Sequence, residues 1–341
     1  MLLCIKREAK MDAKITKQRL TRMLSYDWLK IVGVAAALIL VWVLVFTMTA
    51  TRITPAQQFT VFNYTENATL TDEFYNAYSK AHGDGVFSYE VIETNVNDMT
   101  TSGEYAGTIL ETRVATDEGD IMFVANRPDE STATTNEAGE TVYERTQIQT
   151  ILRAYPTNFY DLDTYFANMK TYLDGYYNGD LVNGKLDEEK VKMDFENRVR
   201  ANKDKRFKKA EQIEQGKADE VARIQKYRDA YVAFQGYLQA GLVEFVGVEL
   251  KNENGEAVIS GNYALNICPD ESKMNKLKDY TFYYKTEKTT AEDGSEVEEK
   301  RKTAQDMSVM FFKMSGVEAS FEYETLLFLN YMIELSRTDA A

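Results

Sequence analysis

The sequence predicts an α/β domain: a parallel sheet flanked by helices, with a long charged helix and β-hairpin insertions, preceded by one transmembrane helix. Three observations carry this. Ile31 to Thr51 is an uncharged run of 21 residues. Residues 57 to 124 alternate strand-like and helix-like patterns in the order β-α-β-α-β, which predicts parallel pairing through crossovers. Residues 185 to 240 lack proline, are dense in charge and repeat apolar positions at helical spacing.

The apolar run, "IVGVAAALILVWVLVFTMTAT", lies between Lys30 and Arg52. At about 1.5 Å per residue it spans a hydrocarbon layer of roughly 30 Å. A secretory signal has a shorter apolar core, of about 7–15 residues, so the run reads as a retained anchor, with "MTATRITPA" the competing cleavage region. Residues 1 to 30 carry a net charge of +5 and the remainder −19. Basic flanks stay in the cytoplasm, which predicts a single-pass protein of the cell membrane with its C-terminal domain outside. The organisation is then a basic cytoplasmic segment (1–30), a membrane helix in contact with the bilayer (31–51) and an extracytoplasmic domain (52–341). Starting at Met1 or at Met11 leaves this topology unchanged. Cys4 and Cys268 fall on opposite sides, so no intrachain disulfide is expected. The acidity of the outer part argues against nucleic acid, which needs a basic surface.

Along the outer chain, "QQFTVFNY" (57–64) reads as a strand. Residues 68 to 85 read as a helix capped by Thr71, with Leu70, Phe74, Ala77 and Tyr78 on one face and Gly83 as its stop. Residues 86 to 96 read as a second strand. Residues 101 to 119 read as a helix with Tyr105, Ile109, Thr112 and Arg113 along one side. "IMFV" (121–124) is a continuous apolar run, expected to be a central strand buried on both faces. "NEAGE" marks a hairpin tip within residues 130 to 147. Residues 158 to 181 are helical and aromatic-rich, interrupted by Gly175 and Gly179. The segment 185–240 is one long helix, or two broken near Gly216. Residues 245 to 261 turn at Asn254-Gly255, a strong hairpin signal. Residues 280 to 305 form an exposed ribbon turning at Asp293-Gly294. "DMSVMFFKM" is a late strand or helix, and "SFEYETLLFLNYMIELS" is a closing helix.

"FTVFNY", a helix, "FSYEVIETNV", a second helix ending in "TDEGD" and then "IMFVANRPD" together resemble the first lobe of family 1 extracellular solute-binding proteins of ABC transporters. "FYDLDTYF" (159–166) resembles the segment that follows in that family. The likeness covers about 110 residues and is a pattern of elements. It implies a membrane-anchored solute-binding-like protein that takes a saccharide or another small polar ligand and serves an ABC importer or a sensor. The chain departs from the family in several ways. It is shorter than two-lobed members, shows no clear second α/β lobe after residue 240, and keeps both tryptophans, Trp28 and Trp42, in or beside the membrane run. The alternative is a ligand-free envelope interaction or scaffold protein on a degenerate version of the same fold.

Catalytic chemistry finds little footing. His82 is the single histidine and sits at a helix end, where an imidazolium complements the dipole. Zinc needs several His or Cys ligands in one neighbourhood, and no Walker, nucleophile-elbow or dinucleotide signature appears. An enzyme is not expected, and no cofactor or metal is implied. Binding has better candidates. Tyr64, Glu66 and Asn67 follow the first strand, and Asn126, Arg127 and Asp129 follow the third, so parallel pairing brings them to one rim. Tyr172, Tyr176 and Tyr177 form an aromatic platform near flexible glycines, and the long helix offers a docking face for an ABC permease or another envelope protein.

Overall fold

The computed structural model describes residues 16–18, 21, 28–49, 58–64, 68–89, 93–98, 105–116, 118–204, 206–252, 254–290, 296–313 and 323–338. The chain separates into two units, Met1–Ile53 and Thr54–Ala341. In the first, α1 (Trp28–Thr49) is a helix long and apolar enough to cross a membrane.

The second unit is organised around a six-stranded sheet in the order β3-β1-β4-β11-β8-β7. β1 (Gln58–Asn63) pairs in parallel with β3 (Glu93–Asp98) on one side and with β4 (Ile121–Ala125) on the other. The chain therefore moves from β1 out to β3 and returns past β1 to β4, as the alternating pattern predicts. The sheet as a whole is mixed. β11 (Met307–Phe311) inserts antiparallel between β4 and β8 (Ala257–Asn266), and β7 (Glu244–Lys251) closes the edge as the hairpin partner of β8. The 245–261 hairpin is thus an integral edge of the main sheet rather than an insertion. Gly255 supplies its turn with φ +82°, as the Asn-Gly pair requires. Residues 307–311, ambiguous in sequence, are a fully buried strand.

Side chains of β4 alternate between two cores. Ile121, Phe123 and Ala125 face one and Met122 and Val124 the other, all with no exposure. On the first face lie α2 (Asp72–Gly83), α5 (Leu162–Asp174), α7 (Ala210–Gln239) and α8 (Glu324–Ser336), through Phe74, Tyr78, Phe166, Tyr227, Phe234 and Phe328. On the second lie α3 (Ala106–Ala115) and α4 (Gln147–Ala154), through Leu110, Val114, Ile148, Ile151 and Leu152. The result is a helix-sheet-helix sandwich, the expected way to bury both faces of a sheet.

Thr71 caps α2 as expected, its hydroxyl accepting the Phe74 N–H at 3.2 Å. In α3 the buried stripe is Leu110 and Val114, whereas Tyr105 is 72% exposed. The two aliphatic residues one turn apart face the core, rather than the side of Tyr105, Ile109, Thr112 and Arg113 expected from the sequence. The second strand also begins later than expected, at Glu93, after bends at residues 87–89.

The 185–240 segment is two helices, α6 (Glu188–Asn202) and α7, and the break is not at Gly216. Lys203 in the left-handed region (φ +48°) ends α6. Gly216 lies inside α7, where a Cβ would meet the Phe195 ring at 2.4 Å and the Phe207 ring at 2.7 Å, so its role is close helix packing. The buried stripe of α7 is Gly216, Glu220, Arg223, Ile224, Tyr227, Ala230 and Phe234. Ala210, Ile213 and Val221, apolar residues at helical spacing in this segment, are exposed or half-buried, and charged residues occupy part of the buried stripe.

β5 (Ala133–Thr135) and β6 (Thr141–Tyr143) form the hairpin around "NEAGE". The ribbon of β9 (Thr281–Thr290) and β10 (Glu296–Thr303) belongs to a second sheet with β2 (Thr69–Leu70). Its expected turn at Asp293-Gly294 lies outside the described residues.

Candidate functional site

Strands that run in one direction release the chain on one rim. β1 ends there at Asn63 and Tyr64, β4 at Ala125 to Arg127, and β8 at Asn266. The antiparallel strands enter at the same rim, β11 through Asp306 and β7 through Glu244. The reversal of strand order at β1 and β4 is a topological switch point, where ligands of open α/β sheets sit beyond the carboxyl ends.

The rim is a row of amides and carboxylates. The Asn126 N–H donates to the Asp306 carbonyl at 3.0 Å. Asn266 Nδ2 donates to Asp306 Oδ1 at 3.1 Å and to Glu244 Oε1 at 3.3 Å, while Asn266 Oδ1 accepts the Cys268 N–H at 2.9 Å. Gln305 Nε2 donates to the Pro269 carbonyl at 2.9 Å and to Asp306 Oδ1 at 3.3 Å. Asp306 adopts φ +59°, a left-handed conformation that aspartate tolerates better than most non-glycine residues. Asn126 Oδ1 is buried and has no hydrogen-bond partner among the described residues. An unmade buried acceptor costs about 1–3 kcal/mol. This unmade acceptor, beside the left-handed Asp306, makes the rim a candidate site.

Tyr283 of β9 reaches the same region. Burial pushes its phenol up, the Asp306 carboxylate adds to this, and the Arg127 guanidinium opposes it. Thr281 of β9 packs its hydroxyl 3.8 Å from Met307 Sδ, so the second sheet lies against the start of β11.

Of the residues the sequence singled out, Tyr64, Asn126, Arg127 and Asp129 are placed close together. The Tyr64 N–H donates to the Phe123 carbonyl at 3.1 Å, and burial, then the Asp129 carboxylate, push its phenol up. Asp129 is committed to local structure. Oδ2 accepts from Thr150 at 2.5 Å, and Oδ1 from the Ser131 hydroxyl and N–H at 2.7 and 3.0 Å. Burial raises its carboxyl, but these donors outweigh burial and hold it below the usual range. Arg127 Nη1 lies 3.4 Å from Glu130 Oε1. Glu66 and Asn67 lie outside the described residues.

The tyrosine platform belongs to the helical layer. Tyr172 and Tyr176 meet edge to face at 5.5 Å, and Tyr172 also lies 5.6 Å from Tyr323. Burial drives both phenols up, Tyr176 to about 12. Tyr177 is a core residue beneath the Arg228 guanidinium, 5.6 Å from its ring centroid. The long helix brings charge inward beside them. Glu220 pairs with Arg223 and, at 3.0 Å, with Arg198. Glu324 of α8 accepts from the Tyr227 hydroxyl at 2.5 Å, from the Ser88 N–H at 2.8 Å and from the Ser88 hydroxyl.

Asn266, Asp306, Glu244 and Tyr283 were not singled out in sequence. The available signal was a polar residue bounding an apolar strand, in "ALNIC" and "AQDMS". It reads as a site only once β8 and β11 are known to share the sheet with β4. No protein-family model matches the chain, and neither a curated protein nor a solved structure does.

Proposed function

We propose that the chain is a membrane-tethered extracytoplasmic binding protein that holds a small polar ligand, such as a saccharide, on the carboxyl rim of β1, β4 and β8. The observation that carries this is the buried, unpartnered Asn126 Oδ1 beside the left-handed Asp306. Hydroxyls are suited to such a rim because each can donate to one amide or carboxylate oxygen and accept from another group. The order β-α-β-α-β into "IMFVANRPD" supports kinship with the first lobe of family 1 solute-binding proteins, and so service to an ABC importer or a sensor. In this reading the β9–β10 sheet, rather than a second lobe, covers the rim. The basic segment before α1 supports the orientation with the domain outside.

The test is a melting-temperature screen of the full chain against sugars, polyols, amino acids and peptides. A ligand at 100 times its dissociation constant adds about 2.7 kcal/mol. The reading expects at least one polar metabolite to raise the melting temperature; a flat response across the panel removes its basis.

A second reading, an envelope scaffold protein, draws on a different observation. The β9–β10 ribbon pairs over eight registered positions and carries Tyr284 at 56% exposure. Deleting residues 285–300 should then abolish one specific cross-link in membranes, whereas the ligand reading leaves the cross-link profile unchanged.

A further inference from the structure

A groove of about 920 Å³ runs between α4 and the β7–β8 hairpin, beside the free edge of the main sheet. It opens toward the start of β8, and so toward the end of the sheet opposite the carboxyl rim. Its floor is apolar, made by Leu152, Leu250 and Ile259, with Val258 61% exposed at its side. Charge lines the walls. Glu249 lies 3.4 Å from Lys251 and Glu144 lies 3.6 Å from Arg145, which leaves Arg153 with no ion pair among the described residues. Arg145 Nε is a buried donor with no hydrogen-bond partner among them. Arg145, Arg153 and Lys251 face Glu144 and Glu249 in the lining, a balance of +1 in a part of the chain that carries −19 overall, and Arg153 is the cation that neither carboxylate pairs.

β7 is the last strand of the sheet and has no strand partner on its outer side among the described residues; the Gln149 side chain of α4 donates to its Glu249 carbonyl at 3.3 Å, a bond an added strand would displace. Such an edge is a template for an added strand, with main-chain bonds giving affinity and alternate side chains giving specificity. We propose that this groove receives an extended acidic segment of a partner protein, laid alongside β7. Its apolar side chains would meet Leu152, Leu250 and Val258, and its carboxylates would meet Arg153 and Arg145, whose planar fork suits them.

The probe is a fluorescein-labelled dodecapeptide of alternating Glu and Val, titrated by anisotropy into the full chain in phosphatidylcholine nanodiscs. We expect saturable binding and slower amide exchange within Glu244–Lys251. The double variant Arg153→Glu, Lys251→Glu changes exposed side chains, keeps the melting temperature and weakens binding by about tenfold or more. Three results would each overturn the proposal. These are no saturable binding at millimolar peptide, equal binding of an alternating Lys–Val peptide, or unchanged affinity in the double variant. Dimerisation of the chain without peptide, abolished by the same variant, would assign the groove to a second copy instead.

Discussion

Glu324 shows how much a single residue carries in the helical layer. Its carboxylate gathers α7, through Tyr227, and the segment before β3, through Ser88, onto α8. Lys226 holds that segment too, donating to the Gly85 and Phe87 carbonyls. Burial raises the Glu324 carboxyl above its ordinary value of 4.5, against the opposing Ser88, Tyr227 and Arg223. The folded chain then binds this proton more tightly than the unfolded chain. The group's contribution is full below about pH 4.5 and is lost as pH rises through the folded value. Glu324→Gln should escape that loss. In urea unfolding the variant should gain on the wild type as pH rises above about 4.5; a constant gap would contradict the assignment. Cys268 makes a simpler case. Burial, then Glu271, Asp306 and Asp270, push its thiol up to about 12. The folded chain should resist alkylation at this cysteine and react there only once urea unfolds the domain. Phe123 has no exposure and packs against Phe74 at 5.5 Å, so Phe123→Ala should cost about 3–5 kcal/mol of stability. Asn126→Ala, which removes an unmade acceptor, should leave stability level or slightly higher.

At the scale of elements, α7 offers an internal control. Gly216 and Gly236 lie in the same helix, and each would gain about 0.8–1 kcal/mol of helix propensity as alanine. A Cβ at Gly236 meets nothing within 4 Å, but at Gly216 it collides with two aromatic rings. Gly236→Ala should therefore raise the melting temperature and Gly216→Ala should lower it, despite identical chemistry. Sequence alone admits either an unbroken helix or a break near Gly216, because propensity is local and the Phe195 and Phe207 rings are not. The same division explains what else was legible. Thr71, "NEAGE" and Asn254-Gly255 work through neighbours within a few residues, and each appears where expected. Ile121–Val124 is legible because a continuous apolar run has nowhere to go but a doubly covered strand. The place of β11 between β4 and β8 depends on pairing across about 40 to 185 positions, which no local pattern encodes. Charge density on α7 gives no sign that Glu220 and Arg223 lie inside, where a paired charge is tolerated and a lone one is not. The rim followed suit. Its half from β1 and β4 came from a local β-α-β pattern, and its half from β8, β11 and β7 required the sheet order.

The whole molecule consists of an apolar helix near a basic terminus followed in sequence by an acidic α/β unit with a polar rim. Protease added to intact cells should digest residues 54–341 and spare the N-terminal segment; protection of the large unit would reverse the proposed orientation. The proposed ligand site is the rim at Asn126 and Asp306. Native mass spectrometry of the full chain after incubation with a metabolite extract reads this most directly, comparing the wild type with Asn126→Ala. The account predicts a discrete small-molecule adduct on the wild type that is lost from an equally stable variant. An adduct that persists in the variant, or no adduct on either chain, would contradict it.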